Sequence, residues 1–98
     1  MREVRVSNAF FDDVDELFPS TRGADGTPSA DDFIRFALPS LIAEIGERFD
    51  GVADMPDGPG VRAFVLPGVL VPFVAIYAGE LSSGIVYLLG MEIDNDSP

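Results

Sequence analysis

The chain has 98 residues, with six arginines, no lysine and seventeen acidic residues, for a formal net charge of -11. It lacks cysteine, histidine and tryptophan, which excludes disulfides, thiolate metal sites, cysteine nucleophiles, histidine-based hydrolase triads and zinc hydrolase sites. With 47% apolar residues and a mean hydropathy of +0.24, it carries enough apolar side chains for a core, which argues against wholesale disorder.

The length fits one domain, read as residues 1–94 with 95–98 a frayed tail. The charge opposes nucleic-acid binding, because phosphate contacts require cations to displace counterions. The arginines are scattered at 2, 5, 22, 35, 48 and 62, with no basic run. Acidity of this kind suits solubility, or contact with a basic protein or a cation. The opening Met-Arg-Glu-Val-Arg-Val does not resemble a signal peptide, so a cytoplasmic location is expected. The longest uncharged run, Ala63 to Gly79, is broken by Pro67, Gly68 and Pro72. It falls short of the ~20 apolar residues of a membrane helix.

Glu3-Val4-Arg5-Val6 alternates polar with apolar and predicts a short strand with one buried face. Ser7 and Asn8 are helix-capping types, and Phe10, Phe11, Val14, Leu17 and Phe18 follow at helical spacing. Pro19 and Ser20 end that helix, and residues 19–28 read as a loop. Ser29-Ala30-Asp31-Asp32 resembles a capping box with Asp in place of Glu. Phe33, Ile34, Ala37, Leu38, Leu41, Ile42, Ile45 and Phe49 then form one apolar stripe. Pro39 lies inside it and clashes with the Arg35 carbonyl, which predicts one kinked helix or two abutting ones.

Residues 50–60 read as a second loop, after which the pattern becomes extended. Strands are expected at Val61–Leu66, Val69–Ala78 and Ile85–Asp94, with a turn at Pro67-Gly68 and a hairpin loop over Gly79–Gly84. Pro72 marks a bulge or an edge. The fold class is therefore α+β in β-α-α-β-β-β order, with the helices packed on one face of a mainly antiparallel sheet.

A sheet with one covered face alternates apolar with polar residues, and these strands do not. Val69, Val71, Phe73, Ala75 and Tyr77 share one face of the second meander strand, while Leu70, Pro72, Val74, Ile76 and Ala78 share the other. The last strand places Ile85, Tyr87, Leu89, Met91 and Ile93 opposite Val86, Leu88 and Gly90. Two helices cover one face, so the other is expected to be an interface for a protein partner or a second copy. The candidate interface residues are Val69, Val71, Phe73, Ile76, Tyr77, Ile85, Tyr87, Leu89 and Met91.

The layout resembles the RelE/ParE superfamily of toxin–antitoxin systems. A short strand, Val4-Arg5-Val6-Ser7, runs into a helix reading Phe11-Asp12-Asp13-Val14-Asp15-Glu16-Leu17, and a longer helix follows from Asp32-Phe33-Ile34. Gly60-Val61-Arg62-Ala63-Phe64 opens a three-strand meander that closes with Ile85-Val86-Tyr87-Leu88-Leu89-Gly90-Met91-Glu92. The resemblance implies the scaffold over nearly the whole chain. Its RNA-cleaving members carry cations on the sheet face, often with a tyrosine. In this sequence the resemblance maps that chemistry onto Arg62 with Tyr77 or Tyr87, and the other basic positions hold apolar or acidic residues. The expectation is therefore a non-catalytic module for protein–protein interaction. The alternative is an RNA endonuclease using Arg62 with either tyrosine, and a third reading is an acidic decoy for a nucleic-acid-binding partner.

No metal or cofactor is implied. Asp12, Asp13, Asp15 and Glu16 point in successive directions around a helix and do not converge on one ion. Asp50, Asp54 and Asp57 lack the spacing of a calcium loop and read as turn residues.

Overall fold

The chain begins with a junction that its own sequence specifies. Strand β1 (Glu3–Val6) ends at Ser7, whose hydroxyl accepts from the Phe10 N–H (3.2 Å) and so caps helix α1 (Asn8–Leu17). The same hydroxyl donates to the Leu88 carbonyl at 2.6 Å. One side chain thus starts the helix and fastens it to the far end of the chain. A computed structural model describes residues 2–24, 26–55, 60–67, 73–82 and 84–93.

The second helical stretch opens as expected. Ser29 and Asp32 form a reciprocal capping box at the start of α2 (Ala30–Asp32). A π-helical segment (Phe33–Ala37) follows, then α3 (Leu38–Arg48) and a 3₁₀ turn (Phe49–Gly51). The expected disturbance at Pro39 takes this π form. The Leu38 N–H reaches back five residues to the Phe33 carbonyl, and Pro39 falls in the first turn of α3, where a missing N–H costs nothing.

Strands β2 (Val61–Pro67), β3 (Phe73–Ser82) and β4 (Ile85–Ile93) complete a four-stranded sheet of order β1-β4-β3-β2. The meander pairs are antiparallel, and β1 joins the edge of β4 in parallel, so the sheet is mixed. No helix among the described residues is long and apolar enough to cross a membrane. The expected turn at Pro67-Gly68 differs at Pro67, which belongs to β2. Residues 68–72, which include Val69 and Val71, and the expected tail 95–98 lie outside the described residues.

The expected hairpin loop is shorter than the sequence indicates, because Gly79 to Ser82 continue β3 and pair with β4. Gly79 is a glycine of close approach. A Cβ there would meet the Gly60 carbonyl oxygen at 3.1 Å and a Leu89 methyl at 3.2 Å.

The core lies between the helices and one sheet face. Phe10, Val14, Phe33, Ala37, Leu41, Ile45 and Phe49 meet Phe64, Leu66, Val74, Ile76, Ala78, Val86 and Leu88, all of them buried. Phe18 stacks on Phe33 at 5.0 Å between ring centroids.

Candidate functional site

The opposite sheet face is the candidate site. On β2 it presents Val61, Ala63, Val65 and Pro67. On β3 it presents Phe73, Ala75 and Tyr77, and on β4 Ile85, Tyr87 and Leu89. None of these side chains is fully buried, and Val65 is 50% exposed, whereas its strand neighbours Phe64 and Leu66 are 3% and 2% exposed. The described helices all serve the other face. Among the described residues, charge on the open face is confined to Glu3, Arg5 and Glu92. Arg5 is paired with Glu3 (2.6 Å), and Glu92 accepts from the Tyr77 hydroxyl (3.5 Å).

Of the expected interface residues, Phe73, Tyr77, Ile85, Tyr87 and Leu89 share this face. Ile76 and Met91 do not, and both are corrected to the covered face, at 0% and 3% exposure. Ile76 alternates with Ala75 and Tyr77 and so faces the helices. Met91 is displaced by a β-bulge. The register jumps from Ala78↔Leu88 to Tyr77↔Gly90, so Leu89 is an extra residue and the alternation reverses phase beyond it. Asp13 of α1 seals this bulge by accepting from the Met91 N–H at 3.0 Å. Gly90 makes room for it, since a Cβ there would stand 2.8 Å from the carboxylate oxygen.

The three residues of the nuclease reading are not brought together. Arg62 lies on the covered face, its guanidinium 4.2 Å from the centre of the buried Phe49 ring. It donates to Asp54 Oδ1 at 3.1 Å and to the Phe49 carbonyl. Tyr77 and Tyr87 are on the opposite side of the sheet. Asp54 also accepts from the Gly60 N–H, and that bond, with Arg62, holds its carboxyl below the ordinary range. Asp54 therefore performs turn chemistry at the entry to β2, while Asp57 lies outside the described residues.

Each of the six arginines has a carboxylate partner: Arg2 with Asp50 and Glu80, Arg5 with Glu3, Arg22 with Asp32, Arg35 with Asp31, Arg48 with Glu44 and Arg62 with Asp54. Every guanidinium thus lies within 3.6 Å of a carboxylate oxygen. Comparison with protein-family models, curated proteins and solved structures found no match.

The densest charged cluster escaped sequence reading. Arg2 and Arg62 flank Phe49, and Asp50, Asp54 and Glu80 surround them. Asp50 and then Glu80 raise the Arg2 guanidinium above its ordinary value, and Arg2 lowers both carboxyls in return. The cluster is mutually satisfied, and it fastens the N-terminus, the end of α3 and the tip of β3. Its sequence separations, 48 and 78 residues from Arg2, leave no local signal. A depression of about 280 Å³ beside α2 is lined by Arg22, Gly26, Pro28, Asp32 and Phe36. Arg22 grips Asp32 through two bonds of 2.9 and 2.8 Å, so its charges are committed to one another. Among the described residues no group of three or more acidic side chains is placed to hold a metal ion.

Proposed function

We propose that this chain is a RelE/ParE-like cytoplasmic module that acts by protein–protein interaction through the open face of its sheet, without catalysis. The observation that carries the reading is the apolar face, covered by none of the described helices, that bears Val65, Tyr77, Tyr87 and Leu89 on a chain of charge -11. Burying such a face contributes roughly 25 cal/mol per Å² of apolar area before association costs are subtracted. The scaffold part of the proposal is supported by the β-α-α-β-β-β element order. The non-catalytic part is supported by the separation of Arg62 from both tyrosines and by the pairing of every arginine, since a nuclease of this type stabilises phosphorane charge with free cations.

Two assays test it. An environment-sensitive apolar dye, added to dilute protein, is expected to bind and to be displaced by Val65→Glu. Expression in a bacterium is expected to be harmless. Growth arrest with RNA cleavage, abolished by Arg62→Ala, would instead establish the endonuclease. Absence of dye binding would remove the docking surface.

A further inference from the structure

We infer that the occupant of the open face is a second copy of this chain, the two sheets packed face to face about a two-fold axis. This rests on the docking reading above and adds the identity of the partner.

The distribution of charge selects the partner. Asp12, Asp15, Glu16, Asp31 and Glu47 are all exposed on the helical layer, across the sheet from the open face, and Glu44 lies beside Leu66 and Pro67 at the β2 edge. Among the described residues the open face carries only the Glu3–Arg5 pair and Glu92, a net charge of -1 from two acids and one arginine. A basic partner attracted by the net -11 would find its counter-charges on the helical layer rather than here. An apolar face nearly cleared of charge on an otherwise acidic molecule matches another face of the same kind. A two-fold axis makes that match self-complementary.

Distance removes the objection that two copies of charge -11 repel. Packed sheets lie about 10 Å apart and a helix adds about 10–12 Å on each outer side, so the acidic surfaces stand on the order of 30 Å from each other. That is several times the Debye length of about 8 Å at physiological ionic strength. Four strands at about 4.8 Å spacing, over about 25 Å of strand, offer roughly 500 Å² per copy. The total of about 1,000 Å² is at the lower bound for a specific interface, the size class of weak and transient association.

Sedimentation velocity over a concentration series, from sub-micromolar to a few hundred micromolar, tests this. The wild type is expected to shift from monomer to dimer, and the dimer to change in affinity by no more than about twofold as salt rises from about 0.05 to about 0.5 M, because the acidic surfaces stand too far apart to repel appreciably. Val65→Glu is expected to abolish the dimer. Ala43→Glu, which adds the same charge to the exposed side of α3, is expected to leave it within about twofold, the added charge lying on the order of 15 Å, about two Debye lengths, from the interface. Circular dichroism melts confirm that each variant folds. A dimer that survives Val65→Glu, or one that salt dissociates, overturns the inference. A strict monomer whose dilute form still binds the apolar dye overturns the second copy and leaves the docking reading standing. A monomer that binds no dye overturns both.

Discussion

The two faces of one sheet are built from similar residue types and have opposite fates. Phe64 and Ile76 face each other across β2 and β3 and are buried beneath the helices, while Val65 and Ala75, one step along each strand, look outward. The difference is one of cover. Both faces are apolar, so composition alone does not separate a core from a contact surface, and the helices decide which is which.

The largest expected effect sets these faces against each other. Ile76→Ala removes buried methylenes and leaves a cavity, and is expected to destabilise the fold by about 2–5 kcal/mol. Val65→Ala is expected to change stability by no more than about 0.5 kcal/mol. Urea denaturation of the two variants in dilute solution measures both, and comparable losses would mean that the two faces are equally covered.

A second prediction concerns the bulge that assigns Met91 to the core. Asp13→Ala leaves the Met91 N–H without its charged acceptor and is expected to cost about 1–2 kcal/mol. Asp13→Asn, which keeps an acceptor oxygen, is expected to cost less. Equal losses would mean that the carboxylate does not seal the bulge.

This bulge also marks where sequence reasoning stops. Strand β1, the Ser7 and Ser29 caps and the disturbance before Pro39 were legible because their signals lie within a few residues of their effects. Strict alternation placed Met91 with Leu89, and only the pairing register with β3 reveals the extra residue that reverses it. Gly79 carries the residue type of a turn, but its reason is the close approach of Gly60 and Leu89, which no local pattern records. The same holds for the candidate site. The apolarity of both sheet faces was visible along the strands, whereas the placement of Arg62 away from Tyr77 and Tyr87 required the register of three strands.

A smaller effect follows from the ion pairs on the covered side. Arg22, then the Ser29 backbone, lowers the Asp32 carboxyl, and Arg2 lowers Asp50 and Glu80. A carboxylate lowered on folding contributes stability above its unfolded value, near 4, and loses that contribution as pH falls through the folded value. Unfolding free energy is therefore expected to hold from pH 7 to about 5 and to decline below about pH 4. Relief of the net negative charge opposes the decline until the isoelectric point near 4.1 is passed. Arg22→Gln is expected to shallow this acid limb, and an unaltered limb would separate Asp32 from it.

The claim that one face of the sheet stands uncovered in the isolated chain has a built-in reporter. The protein has two tyrosines and no tryptophan, and Tyr77 and Tyr87 both belong to the open face. Acrylamide quenching of tyrosine emission in sub-micromolar protein reads that face directly. Quenching well above that of a buried ring, as befits two half-exposed tyrosines, is the expected result. Protection at the level of a buried ring in the dilute monomer would contradict it.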